Sequence, residues 1–205
     1  MTESPITHLF VDIGGVLLSN GWDRRLRQLT AQHFGVDQAE MDERHHLSYD
    51  TYETGKMSLA DYLDRIMFYE PRGFTKEQAV DFILSQAKPF AEMIEMVRRL
   101  KAVYGLKVAV VSNEGRELTV DRIQRFRMHE FVDFFIVSSF VHFRKPDLDI
   151  YRVALDIAQA VPGQVAYVED RHMFVEVAGT LGIRGIWHKA YESTKAALAE
   201  MGLAV

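Results

Sequence analysis

The sequence predicts an α/β protein with a Rossmann-like parallel sheet core and a helical cap inserted after the first strand. Two observations favour this class. Five apolar runs are continuous rather than alternating, which is typical of parallel strands that are covered on both faces. Amphipathic helical patterns lie between most of these runs, so strand and helix alternate as they do in an α/β fold with right-handed crossovers.

The five strand candidates are short apolar segments, most of which end at polar residues. The first runs from Leu9 to Ile13 and is interrupted by Asp12 before it stops at Gly14 and Gly15. The other four occupy residues 106–112, 132–138, 165–168 and 182–188.

Two long helices are predicted between the strands, over residues 91–103 and 148–161. In the first, apolar residues repeat at helical spacing from Met93 to Val103, and Gly105 follows as a stop signal. In the second, one face is predicted to hold Ile150, Val153, Ala154, Ile157 and Val161.

The interval between the first two strands is too long for a simple crossover. A βαβ unit needs only about 30 residues, whereas no strand pattern occurs between Leu18 and Gly105. Helix start signals occur inside this interval, at Ser58 with Asp61 and in the capping-box pair of Thr75 with Gln78. We therefore expect an α/β core over residues 1–18 and 89–205, and a helical cap over residues 19–88.

Composition limits the classes of partner and chemistry. The chain has 205 residues and a net charge of −5, which gives no electrostatic reason to expect binding to nucleic acid or to an anionic membrane. It contains no cysteine, which excludes disulfides, thiolate zinc sites and cysteine nucleophiles. The first apolar run is too short for a membrane span and lacks the features of a signal peptide, so a cytoplasmic location is expected.

Polar residues follow the predicted strands at the points where ligands bind in open α/β sheets. Asp12 ends the first strand, Ser112 and Asn113 end the second, and Glu169 and Asp170 end the fourth. The carboxyl ends of parallel strands meet at one edge of the sheet, where such folds bind their ligands. Lys145, just before Pro146, follows the third strand.

Converging carboxylates indicate a cation and phosphate chemistry. Three carboxylates repel one another unless a divalent cation compensates them, and oxygen ligands favour Mg²⁺ over zinc. A lysine beside Asp12 can neutralise a bound anion, and Ser112 can donate to phosphate oxygens. A carboxylate can also act as a nucleophile that forms an acyl-phosphate.

These four motifs, in this order, resemble the haloacid dehalogenase superfamily, and in particular the subgroup with small sugar-phosphate phosphatases and the phosphatase domain of soluble epoxide hydrolase. The resemblance implies Mg²⁺-dependent hydrolysis of a small phosphorylated molecule through an aspartyl-phosphate. The resemblance implies that Asp12 is the nucleophile and a metal ligand. It implies that Ser112, Asn113 and Lys145 bind the phosphoryl group, and that Gly14, Glu169 and Asp170 bind or orient the metal.

The sequence departs from this pattern at Gly14. Most phosphatases of the superfamily have a second Asp there, whose backbone carbonyl binds the metal and whose side chain serves as general acid and base. Glycine keeps the carbonyl and lacks the acid, and general acid–base catalysis contributes typically ~10²–10⁴-fold. Three explanations stay open: a substrate with a good leaving group, a proton from another residue or a water, or a feeble enzyme with another role.

The sequence is compatible with two other functions. The same nucleophile could dehalogenate 2-haloacids, although that chemistry needs no metal, and a phosphate-binding regulator without enzymatic activity is the other alternative. His45 and His46 are expected at the surface, Arg144 is expected to be structural or exposed, and residues 49–57 are the best candidate for a substrate-contacting loop. The sequence does not identify the substrate or the oligomeric state.

Overall fold

A parallel sheet of five strands forms the centre of the molecule. The computed structural model describes residues 5–205. The strands are β1 (His8–Val11), β2 (Lys107–Ser112), β3 (Phe134–Val137), β4 (Val165–Glu169) and β5 (Arg184–Trp187). They are ordered β3-β2-β1-β4-β5, and every neighbouring pair is parallel. The predicted fold class and all five predicted strands are confirmed, with strand ends that differ by no more than two residues.

Ten α-helices surround or extend the sheet within the described residues. Five precede β2, namely α1 (Arg24–Phe34), α2 (Gln38–Glu53), α3 (Leu59–Ile66), α4 (Lys76–Ser85) and α5 (Ala91–Tyr104). Five follow it, namely α6 (Arg116–Arg125), α7 (Ser138–Val141), α8 (Leu148–Ala158), α9 (His172–Gly179) and α10 (Tyr191–Glu200). None of the helices in residues 5–205 combines the length and the apolar character needed to cross a lipid bilayer.

Both faces of the sheet are buried, which explains the continuous apolar runs. On one face Leu9 and Val11 belong to a cluster with Leu100 of α5 and Leu198 of α10. On the other face Phe10 belongs to a cluster that includes the following residues of β2, β4, α8 and α9: Ala109, Val111, Tyr167, Ile150, Tyr151, Ala154 and Ala178. Successive side chains of a strand point to opposite faces, so each β1 residue from Leu9 to Val11 meets an apolar layer.

Helices α1 to α4 have an apolar cluster of their own. It includes Trp22, Met41, Tyr62, Leu63 and Ile66, all buried, together with Leu118 from α6. The predicted helix starts are confirmed, because Ser58 accepts a hydrogen bond from the Asp61 N–H and Thr75 forms a complete capping box with Gln78.

The chain enters and leaves this group of helices at adjacent positions. The Ser19 N–H donates to the Lys88 carbonyl at 2.8 Å, and the Phe90 N–H donates to the Leu17 carbonyl at 2.9 Å. Two hydrogen-bonded chain segments, residues 17–19 and 88–90, therefore connect helices α1 to α4 to the rest of the chain, close to where β1 ends.

Helix α8 differs from its predicted course. It ends at Ala158 rather than at residue 161, because Gln159 adopts the left-handed conformation with φ of 52°. Ile157 and Val161 are exposed, at 48% and 60%, so these two residues of the predicted apolar face lie outside the core. The buried face instead runs through Ile150, Tyr151, Ala154 and Ala158.

Candidate active site

Three strand ends bring the predicted polar residues together. Val11 of β1 pairs with Val110 of β2 and with Val168 of β4, so the next residues along these strands lie at the same edge of the sheet. The Asp12 N–H continues this pairing by donating to the Val168 carbonyl at 3.0 Å. Asp12, Ser112 and Glu169 are all buried there.

Lys145 lies between two of the carboxylates. Its side chain is 1% exposed, and its Nζ lies 3.1 Å from Asp12 Oδ1 and 2.6 Å from Glu169 Oε2. The same ammonium donates to the Val111 carbonyl at 3.0 Å. Burial alone would lower the pKa of Lys145, but the Asp12 and Glu169 carboxylates raise it above the ordinary value of a lysine. Lys145 is therefore a buried cation at neutral pH.

Asp12 is electrostatically tuned by the same neighbours. Burial raises the pKa of its carboxyl to about 6, the Lys145 ammonium opposes this rise, and the Glu169 carboxylate adds to it. A hydrogen bond with the Ser112 side chain also favours the ionised form. Asp12 Oδ1 is buried, and its charged neighbour is the Lys145 ammonium, 3.1 Å away. A buried carboxylate that lies close to other carboxylates is the kind of group that binds a divalent cation.

Glu169, Asp170 and Asp12 form the acidic part of the site. Each offers one carboxylate oxygen, and these three atoms lie within 4.8 Å of one another. Glu169 Oε1 accepts from the Arg171 N–H at 2.9 Å, and Oε2 accepts from Lys145 and from the Tyr167 hydroxyl. Because these oxygens already have partners, Asp12 and the half-buried Asp170 are the carboxylates better placed to ligate a divalent cation.

Asn113 supports the site in a way the sequence did not indicate. Its side-chain amide donates to the Lys145 carbonyl at 2.8 Å, and its Oδ1 accepts from the Lys145 N–H at 2.8 Å. The side chain therefore fixes the backbone of the lysine relative to β2. Contact of Asn113 with a phosphoryl group stays a prediction, and its side-chain amide already has the Lys145 backbone as its partner.

The two glycines after Asp12 have different structural requirements. Gly15 has φ of 77°, and a Cβ atom built there would lie 2.3 Å from Asp170 Oδ2. A Cβ built at Gly14 would meet only the end of the Asn20 side chain, at 2.9 Å, in a conformation that other residues adopt. Gly15 is thus required by the backbone and by Asp170, whereas Gly14 is required by neither.

We expect Gly15→Ala to displace Asp170 and so to weaken cation binding as well as the fold. A left-handed alanine alone costs about 1–2 kcal/mol, and Gly35→Ala is the matched control because it has φ of 65° with nothing within 4 Å. The measurement is thermal unfolding with and without Mg²⁺. Gly15→Ala should lose the stabilisation by Mg²⁺ that Gly35→Ala retains, and equal stabilisation of the two variants would contradict the assignment of Asp170.

A cavity of about 300 Å³ opens above these residues, between them and the helices α1 and α2. The core contributes Asp12, Ser112, Lys145 and Asp170 to its walls. The insertion contributes Trp22, Arg27, His45, Tyr49 and Glu53.

The predicted surface position of His45 is wrong. His45 is 8% exposed, and its Nδ1 lies 2.6 Å from the Tyr62 hydroxyl. Burial lowers the pKa of its imidazole to about 4. The signal was present in the sequence, because Met41, His45, Ser48 and Tyr52 repeat at helical spacing and form the buried face of α2.

Residues 49–57 contact the cavity from a helix rather than from a loop. Tyr49 and Glu53 lie in the last turns of α2 and line the cavity. Arg144 also lines it, and its guanidinium pairs with Asp50 and, at 2.7 Å, with Glu53. Arg144, which the sequence presented as structural or exposed, therefore connects α2 to the segment that carries Lys145.

The sequence profile of one protein family matches most of the chain. This family is described as haloacid dehalogenase-like hydrolase, and the match covers residues 26–188. The chain belongs to this family. It is therefore a hydrolase, in agreement with the resemblance seen in the four motifs.

Individual relatives of this HAD-like hydrolase are distant. A phosphorylated carbohydrates phosphatase from Thermotoga maritima is 25% identical over 132 residues, which span 64% of the chain and 56% of that phosphatase. A HAD family enzyme from Bacteroides thetaiotaomicron in complex with magnesium and inorganic phosphate has a TM-score of 0.74 at 20% identity, over 90% of the chain and 95% of that enzyme. A 2-haloacid dehalogenase from Pseudomonas syringae has a TM-score of 0.67 at 17% identity, over 95% and 99%. At such identities the solved structures show a shared fold.

Proposed function

We propose that this HAD-like hydrolase is a Mg²⁺-dependent phosphatase that cleaves a small phosphomonoester through a phosphorylated Asp12. The observation that carries the proposal is the buried Lys145 ammonium, 3.1 Å from Asp12 and 2.6 Å from Glu169, beside the carboxylate of Asp170. This arrangement keeps a nucleophilic carboxylate next to fixed positive charge. Such preorganised charge stabilises a transferring phosphoryl group.

Each residue of the site has a separate role in the proposed reaction. Asp12 attacks phosphorus, Ser112 and the main chain at Asn113 hold the phosphoryl oxygens, and Lys145 neutralises both Asp12 and the incoming phosphate. Mg²⁺ held by Asp12, Asp170 and the Gly14 carbonyl, with Glu169 behind them, would balance the remaining negative charge. The relatives support this proposal, because one is named a phosphatase and another was crystallised with magnesium and phosphate.

The size of the cavity favours a small metabolite. Residues 19–88 act as the cap in this proposal, and their side chains line one side of a space of about 300 Å³, a volume that suits a small phosphomonoester. Its walls combine the Trp22 ring with Arg27, His45 and Tyr49, which suits a hydroxylated substrate such as a sugar phosphate. The name of the Thermotoga relative supports the same class.

Dehalogenation is the second candidate, and the site favours it less. Displacement of a halide from carbon needs a nucleophilic carboxylate and no divalent cation. Asp12, Glu169 and Asp170 offer three carboxylate oxygens within 4.8 Å of one another, and the single Lys145 ammonium does not balance their charge, which favours a site that also binds a divalent cation.

Assays of phosphate and halide release separate the two candidates. We expect the protein to release phosphate from small phosphomonoesters, including sugar 1-phosphates, with Mg²⁺ present, and to lose at least ~10²-fold in rate with a chelator. The matched assay measures chloride release from 2-chloropropionate with the chelator present. Chloride release without phosphatase activity would replace the proposal with the dehalogenase.

A further inference from the structure

The cavity contains a carboxyl group that is placed to supply the proton for which Gly14 has no side chain. Resting on the function proposed above, we infer that Glu53, at the end of α2, is the proton donor to the leaving oxygen and the proton acceptor for the attacking water. Glu53 is 4% exposed and lines the cavity above Asp12. Its Oε2 is buried and pairs with the Arg144 guanidinium at 2.7 Å.

Contacts with the core fix the position of Glu53. Its main-chain carbonyl accepts from the Ser138 hydroxyl at 2.7 Å, and the next carbonyl, that of Thr54, lies 2.7 Å from His142 Nδ1. Gly55 then packs so closely on α7 that a Cβ atom there would lie 2.2 Å from the Ser139 carbonyl oxygen. The end of α2 is thus attached to the core just before the segment that carries Lys145, and Glu53 is held in place as an active-site acid must be.

The protonation of Glu53 suits this role. Burial raises the pKa of its carboxyl above that of an ordinary glutamate, while the Arg144 guanidinium and a hydrogen bond with Tyr49 oppose the rise. Arg144 is shared with the exposed Asp50, so its charge is divided between two carboxylates. The charged and titratable groups that face Glu53 are Tyr49, Asp50, Tyr62, Glu114, Arg144 and Lys145.

The other acids of the cavity are committed to other partners. Glu114 accepts from Arg122 at 2.6 Å through one oxygen and from Thr119 at 3.1 Å through the other. Asp23 Oδ1 accepts from the Leu26 N–H as the N-cap of α1. Burial lowers the pKa of the His45 imidazole to about 4, so His45 is neutral at neutral pH and has no proton to donate as an acid. Glu53 is therefore the acid best suited to give up a proton.

The proposed reaction has two steps, phosphorylation of Asp12 and hydrolysis of the phosphorylated Asp12. An Asp12 oxygen bonds to phosphorus, the bond from phosphorus to the ester oxygen breaks, and Glu53 gives its proton to that oxygen, so the alcohol leaves neutral. Water then bonds to phosphorus, the bond to Asp12 breaks, and the Glu53 carboxylate accepts a proton from the water. Arg144 stabilises the Glu53 carboxylate between the two steps.

The test compares Glu53→Gln with the unmodified protein on alkyl and aryl phosphates with Mg²⁺ present. We expect kcat/KM to fall ~10²-fold or more for alkyl phosphates and less than about threefold for p-nitrophenyl phosphate, whose leaving group needs no proton. The fall of kcat/KM at high pH, where Glu53 loses its proton, should disappear for alkyl phosphates. Glu43→Gln is the matched control, because Glu43 is an exposed glutamate of the same helix and the same substitution there should leave both rates unchanged.

A second variant distinguishes chemistry from a folding defect. Gly14→Asp introduces an acid where only the flexible end of Asn20 must move. We expect it to raise the alkyl phosphatase rate far more in the Glu53→Gln background than in the unmodified protein. Three results would overturn the role of Glu53 and leave the proposed phosphatase function intact. They are equal losses on aryl and alkyl esters, an unchanged pH profile, and equal gains from Gly14→Asp in both backgrounds. If the unmodified protein hydrolysed no phosphomonoester, the proposed function would fall, and this inference with it.

Discussion

Asp12→Asn should abolish phosphate release, with a loss in kcat on the order of 10⁴-fold or more, because no other group can form the covalent intermediate. The fold should survive this change. Burial raises the pKa of Asp12 from 3.8 to about 6, so above pH 6 its negative charge opposes folding and a neutral side chain removes that cost. Lys145 keeps Glu169, 2.6 Å away, as its partner.

The measurement pairs turnover with stability. Phosphate release from an aryl phosphate gives kcat, and urea unfolding at pH 8 without Mg²⁺ gives the free energy of unfolding. Asp149→Asn is the control, since it neutralises a half-exposed carboxylate at the start of α8. We expect Asp12→Asn to unfold at the same or a higher urea concentration than the unmodified protein. Retention of a tenth of the activity would rule out Asp12 as the nucleophile.

The sheet and its binding edge could be predicted from the sequence because both depend on local patterns. A strand buried on both faces must be apolar throughout, so a carboxylate such as Asp12 at its end stands out. Parallel pairing then places the ends of β1, β2 and β4 side by side, which brings Ser112 and Glu169 to Asp12 without further information.

The residues on the α2 side of the cavity could not be predicted in this way, because their positions depend on how α2 packs. Glu53 belongs to a helix with many polar residues, and nothing in the local sequence distinguishes a carboxylate that faces a cavity from one that faces water. Arg144 meets Glu53 across 91 positions of sequence. The side-chain role of Asn113 was missed for the same reason, since its partner is the backbone of Lys145.

Lys145→Met should have the largest effect on stability. The substitution keeps most of the volume and removes the ammonium that lies between Asp12 and Glu169. Two buried carboxylates then face each other without a cation, and breaking a buried ion pair costs about 3–5 kcal/mol. Lys107→Met is the control, because the Lys107 side chain is 60% exposed and forms a weak surface ion pair, with its Nζ 3.9 Å from Asp133 Oδ1. We expect that control to change the free energy of unfolding by less than about 1 kcal/mol.

The pH dependence identifies the cause of the loss. Burial already raises the pKa of Asp12, and without the opposing Lys145 ammonium that pKa rises further, so the native state binds a proton more tightly than the unfolded chain does. Its stability should therefore recover as the pH falls from 8 to 5, and urea unfolding at both values without Mg²⁺ measures the recovery. A loss that stayed constant across this range would indicate a packing defect. It would also remove the electrostatic argument that makes Asp12 a usable nucleophile.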